Sequence, residues 1–325
     1  MSVTNPVTSP VTPEPLPPLR ILRTSGHTRE QGPEDVVVDT EGQVWTGTGD
    51  GRILRVDLSA GRIEEVARTG GRPLGLELLP DDTLLVADAE RGILRVAGGK
   101  SEVLAERAGG QALGQCSNVC AAPDGSVYFT VSTRRHSLAE WRSDILEHVG
   151  SGRLLRLGPD DHEPEVVLDG LQFANGVALS PDGSYAVVCE TGARRLLKVA
   201  LEGPRAGASE VFADGLPGYP DNLSRAADGT FWTALAQPRE GALELVHRMP
   251  GRVREGLGRA TRRVRTVPRR TVRVLALDGR GQVVRDLARA GAGYRMPTSA
   301  AVHGDRLVLG SLWEPGIAWC ALPGR

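Results

Sequence analysis

The plan of Phe173–Glu190, FANGVALSPDGSYAVVCE, recurs about six times along the chain, and this repetition restricts the fold more than any other feature. Each copy has a small or polar entry, a short apolar run, an acidic-glycine type of turn and a second apolar run, the pattern of a β-hairpin. The other copies start at Gly32, Arg72, Cys116, Tyr219 and Met296, and a third apolar run often follows, as at Arg52–Val56 and Leu196–Val199. Turn residues Gly42, Asp82, Gly125, Gly183, Gly229 and Gly304 are separated by 40, 43, 58, 46 and 75 residues. A repeat of roughly 40–50 residues with three or four short strands describes a propeller blade. The expected fold is therefore all-β, a six-bladed β-propeller with short helical insertions over one face. The strand Leu19–Arg23 is expected to close the circle against Ile317–Leu322.

The chain is expected to divide into a disordered Pro- and Thr-rich leader over 1–18, with no signal-peptide pattern, and one propeller domain over 19–325. Two insertions interrupt the repeat. Residues 133–150 place Leu138, Trp141, Ile145 and Val149 at helical spacing. Residues 237–272 form an arginine-rich helical insertion with an apolar stripe at Leu243, Val246, Val253, Leu257, Ala260 and Val264. Ten arginines fall between Arg248 and Arg273 against one glutamate, which fits a solvated face, a lid over the channel mouth, or weak membrane-surface contact. No stacking aromatics accompany these arginines, which disfavours nucleic acid. With no apolar run long enough to span a bilayer, a net charge of −1 and four cysteines read as reduced small hydrophobes, the expectation is a cytoplasmic protein with a small-molecule substrate. A Cys116–Cys120 disulfide is the alternative for that pair.

In a propeller the first strand of every blade lines a central channel. Counting seven residues back from Glu41, Asp81, Asp124, Asp182, Asp228 and Asp305 gives Glu34, Leu74, Ser117, Asn175, Asp221 and Thr298 as equivalent channel positions. Asn118 and Asn222 lie one residue further on. The set is rich in oxygen donors and contains neither Cys nor His, which suits a hard cation such as Ca²⁺ and disfavours zinc.

The segments GPED at Gly32, RPLGLEL and LLVADAERGILRV in blade two, GSGRLLRL in blade three, LDGLQFANGVALSPDGSYAVVCET, GLPGYPDN and the late VLGSL together resemble the strictosidine synthase-like family. That group includes the adipocyte plasma membrane-associated protein and stands beside the gluconolactonases, paraoxonases and diisopropyl fluorophosphatase. The resemblance implies a six-bladed propeller with an axial calcium held, in the hydrolase relatives, by a Glu, two Asn and an Asp. Carried over, these are Glu34, Asn118, Asn175 and Asp221. In blade three an ungapped alignment puts the family position on Ser117, next to Asn118, and Asn222 is an adjoining candidate. Strictosidine synthase places a glutamate where this chain has Thr298, and paraoxonase-like lactonases use a histidine pair, for which His148 and His247 are the candidates. The implied activity is a calcium-dependent hydrolase of lactones, aryl esters or phosphoesters, with Asp221 and Glu34 in catalytic roles. The alternatives are a condensing enzyme or cyclase of specialised metabolism and a non-catalytic binding propeller.

Overall fold

The computed structural model describes residues 12–24, 31–262, 264 and 266–324. All six of the turn residues picked out by the repeat adopt left-handed backbone, with φ between +58° and +86°. Five of them are glycine, which takes that conformation without steric cost. Acidic side chains fasten the same turns. Asp81, Asp124, Asp182 and Asp228 each accept a hydrogen bond from the backbone N–H two residues on, at 2.9–3.1 Å. Turn chemistry thus sets the hairpin register through local contacts.

Among the described residues six sheets of four or five strands, antiparallel within each blade, follow in chain order, with a two-stranded ribbon of Arg107–Ala108 and Gln111–Ala112 between the second and third. Blades one to four begin with Val36–Val38, Pro73–Leu78, Cys116–Ala121 and Ala174–Leu179, and each ends on a partly exposed fourth strand such as Arg62–Arg68. Blade five runs from Gly218–Arg225 to Val283–Ala290, and blade six from Pro297–His303 to Gly316–Ala321. Alternate residues of the middle strands face the neighbouring blade, so apolar clusters fill the seams between blades. Phe129, Leu155 and Ile93 pack between blades two and three, and Phe212, Phe231 and Leu275 between four and five.

The circle closes as the sequence predicts. Arg20–Arg23 lies antiparallel to Gly316–Ala321, as the outer strand of blade six. The expectation of a disordered leader over 1–18 does not hold for Glu14–Leu16. Glu14 and Pro15 pair in parallel with Leu287 and Ala288, Glu14 bonds Arg285, and Leu16 is 1% exposed in the seam of blades five and six. Burial of one leucine and an ion pair offset the ordering of this short stretch. Residues 1–11 of the leader lie outside the described residues.

Both insertions are helical and lie over one face. Helix α1 (Trp141–Glu147) follows a 3₁₀ turn at Leu138–Glu140, and stops where His148 turns left-handed at φ +50°. Helices α2 (Gly241–His247) and α3 (Gly251–Thr261) lie between the second and third strands of blade five. The apolar stripe expected across them splits in two. Leu243 and Val246 turn inward to a cavity, whereas Val253 and Val264 stay exposed, because α3 approaches α1 through Gly258 and not through its valines. All four cysteines are free and buried, so the Cys116–Cys120 disulfide is not formed.

Leu16→Ala should therefore cost about 2–4 kcal/mol, as for other fully buried leucines. Equilibrium denaturation with unchanged m-value would read this, and a cost near zero would return residues 12–18 to the leader.

Candidate active site

Each blade offers two consecutive residues to the channel at its innermost strand, and in blades two to six a bulge separates them. The strand pairing shifts between Pro73 and Leu76, Cys116 and Asn118, Ala174 and Val177, Pro220 and Leu223, and Pro297 and Ser299. A bulge re-aims side chains that regular alternation would send into the sheet. In blades one to five the first members, Glu34, Leu74, Ser117, Asn175 and Asp221, line a cavity under the helices. In blades one and three the second members, Asp35 and Asn118, line a smaller opening at the other end of the channel. Gly75 and Gly176 are second members that must lack a side chain. A Cβ there would lie 2.4 Å from the Asn118 Cα or 2.2 Å from the Leu223 nitrogen.

Ser117 therefore stands with Glu34, Asn175 and Asp221 on the cavity floor. Asn118 does not face that cavity; its Oδ1 accepts the Val177 N–H at 3.0 Å and its Nδ2 reaches Asn222 Oδ1 at 3.1 Å. Asn222 in turn donates to Glu34 Oε2 at 2.9 Å, so it braces the glutamate from beneath. Thr298 is also placed apart from the cavity, its hydroxyl donating to the Glu34 carbonyl at 2.5 Å.

The floor is buried and acidic. Asn175 Nδ2 donates to Asp221 Oδ1 at 2.6 Å, while Asn175 Oδ1 is buried with no partner. Burial raises the pKa of Glu34 well above the usual carboxylate range, and the charges of Asp221 and Asp35 push it further the same way. Burial likewise raises Asp221. Two carboxylates that repel each other and an unused carboxamide oxygen form a hard-oxygen donor set of the kind a calcium ion takes. Among the described residues no group of three or more His, Cys, Asp or Glu gathers as a metal cluster; the floor here has two acids and a carboxamide.

Two further polar groups come from positions that the hairpin register does not mark. Gln115 lines the cavity, and its Oε1 is buried without a partner. Arg72 is buried behind Glu34, donates from Nη2 to the Gly32 carbonyl at 2.9 Å, and by its charge lowers the Glu34 pKa. Both lie two residues ahead of a channel position, Ser117 and Leu74, and only that proximity could have pointed to them.

The walls contrast with the floor. A cavity of about 450 Å³ is enclosed by Leu138, Trp141 and Ile145 from the α1 side, and by Leu243, Val246 and Val267 from the blade-five insertion. His148 and His247 meet in a ring stack, with centroids 4.1 Å apart, but neither lines this cavity. His247 Nε2 lies 2.8 Å from the Ile145 carbonyl, and burial depresses the His148 pKa to about 4. The pair joins α1 to α2 in place of overhanging the channel.

The raised carboxylates make the metal-free protein pH-sensitive. Burial places Asp35 and Glu77 at about 7 and Asp221 at about 8, so the folded state holds protons that the unfolded chain has released. Stability from these groups is full below about pH 4 and is lost as pH rises through 7–8. The depressed histidines act oppositely, but only below their ordinary value of 6.5. In chelator, stability should fall between about pH 6.5 and 8.5, and calcium should flatten that slope. Urea titrations across the range give the test; stability that rises with pH in chelator would contradict the assignment.

Two family models match the chain, strictosidine synthase over residues 118–204 and the strictosidine synthase-like N-terminal model over residues 19–56. Protein strictosidine synthase-like 6 of Arabidopsis thaliana is 39% identical over 210 residues, covering 62% of this chain and 56% of that protein. The adipocyte plasma membrane-associated protein of Bos taurus is 31% identical over 265 residues, 71% of this chain and 64% of the relative. The chain thus spans little more than half the length of such relatives. In fold it is similar to a gluconolactonase from Xanthomonas campestris, with a TM-score of 0.65, 17% identity and coverage of 97% and 98% of the two chains. That level of identity speaks for the fold alone. Matches on separate blades, and relatives that share a third of their residues over most of the propeller, place this chain with the strictosidine synthase-like proteins.

Proposed function

We propose that the protein is a calcium-dependent hydrolase acting on a lactone, aryl ester or phosphoester with an apolar limb. The observation that carries this reading is the unpartnered, buried Asn175 Oδ1 beside the paired acids Glu34 and Asp221, at the base of an apolar-walled cavity. Glu34, Asn175 and Asp221 would hold the cation, which when bound polarises a carbonyl or phosphoryl oxygen as a Lewis acid. Glu34 is a holding residue, because Asn222 fixes one oxygen and the Glu34 carbonyl is fixed by Thr298. Asp221 lines the cavity, and we assign it the proton-accepting role toward an attacking water, with Asn175 orienting its carboxylate. Apolar walls keep bulk water out and take the non-reacting part of the substrate. The donor chemistry of the floor and the apolar walls support this reading together, on a fold shared with a gluconolactonase.

The condensing-enzyme alternative needs an acid in the last blade, where this chain has Thr298. Its hydroxyl is committed to an inter-blade hydrogen bond and carries no ionisable proton near neutral pH. Hydrolysis of a lactone and aryl-ester panel with calcium or with chelator decides between the readings. Calcium-dependent turnover is expected; condensation of an amine with an aldehyde without any hydrolysis would reverse the assignment.

Asp221→Asn keeps the side-chain size and the contact with Asn175 but removes the base. Turnover should fall at least about a hundredfold while the protein stays folded. Near-normal kcat in the calcium-loaded variant would reduce Asp221 to a structural role.

A further inference from the structure

We infer that the arginine-rich insertion of blade five is a docking face for an anionic lipid surface, and that it presents the cavity mouth to that surface. Three observations on the insertion converge. Large apolar side chains stand in solvent, with Leu245 59% exposed on α2, Val253 46% on α3, and Val264 and Val267 at 54% and 60% beyond it. Arg252, Arg259, Arg269 and Arg270 are exposed beside them and form no ion pair among the described residues. The single acid between Arg248 and Arg273, Glu255, lies 4.0 Å from Arg135 on the α1 side, and Arg262 pairs with Glu140 there.

A solvated helix face accounts for the arginines alone, whereas four large aliphatic side chains exposed on the same insertion give it the mixed apolar and cationic character of an interaction surface. Interfacial segments combine both features, cations at headgroup level with apolar side chains entering the acyl boundary. The same insertion supplies Leu243, Val246 and Val267 to the cavity wall. An apolar molecule held in the outer lipid layer would therefore meet the cavity without crossing water. Lipid is favoured over a polyanion such as RNA because the exposed residues are aliphatic, and base stacking needs aromatic faces.

The test is co-sedimentation of the full chain with sucrose-loaded vesicles. One population is phosphatidylcholine alone and the other contains about one-quarter phosphatidylserine. Partition should favour the anionic vesicles by at least about tenfold and weaken as salt shortens the Debye length. Arg252→Glu with Arg259→Glu, both exposed, should lower it by more than about tenfold, since each arginine near such a surface contributes about fivefold. Leu245→Glu with Val253→Glu should lower it comparably. None of these four side chains lines the cavity, so thermal melting and lactone turnover in detergent-free buffer report on folding independently.

Equal partition to both vesicle types, or none to either, would overturn the inference. So would a result in which the arginine variants lose binding while the Leu245 and Val253 variants keep it and soluble polyphosphate competes fully. That outcome marks a polyanion patch. Failure of vesicle binding with turnover intact would leave the hydrolase reading standing, and the reverse would leave the docking face standing.

Discussion

Everything at the channel depends on how the backbone polar groups of the innermost strands are satisfied where the bulges break the ladders. Hydroxyls of neighbouring blades do much of this work. Thr130 and Ser132 donate to the Asn175 and Ala174 carbonyls, Thr191 to Pro220, Ser224 to Ala300 and Thr298 to Glu34, all at 2.5–2.7 Å. Each bond crosses a seam between blades. A buried carbonyl left without a donor costs about as much as a lost hydrogen bond, so these contacts hold adjacent blades at one fixed distance. The channel residues inherit their positions from that spacing.

The bulges also divide the chemistry. Because paired residues face opposite ends, one chain presents two acidic faces, with Glu34 and Asp221 toward the helices and Asp35 toward the far opening. Asn118 and Asn222 run between them as a hydrogen-bonded bridge, from Asp35 to Glu34. Carboxamides suit this place, since each can accept on one side and donate on the other without adding charge. The acids at the two ends remain coupled through the same low-dielectric space, which is why Asp35 raises both Glu34 and Asp221.

Above the floor, the helical insertions convert an open channel into a cavity. Their connection to one another rests on small contacts. Gly258 of α3 allows approach to Glu147 of α1, where a Cβ would come within 3.0 Å, and the His148–His247 stack joins α1 to α2. The histidines stay neutral at physiological pH because burial opposes their charge, so they act as flat packing surfaces.

The sequence alone determined the blades, since acidic-glycine turns and alternating apolar runs are local signals: a residue such as Gly183 must turn where it stands. It also determined which residues could reach the axis, because Glu34, Asn175 and Asp221 share one distance from their turns. The pairing of Arg20–Arg23 with the last blade followed from the need to close a circle of strands. What only the tertiary structure decided is direction. Whether Ser117 or Asn118 faces the cavity depends on a bulge of one residue, which carries no marker in composition and inverts the outlook of every side chain beside it. Gln115 and Arg72 were likewise decided by packing between blades, as was the burial of Leu16, because partners of these residues lie far away in the chain and no local pattern encodes them.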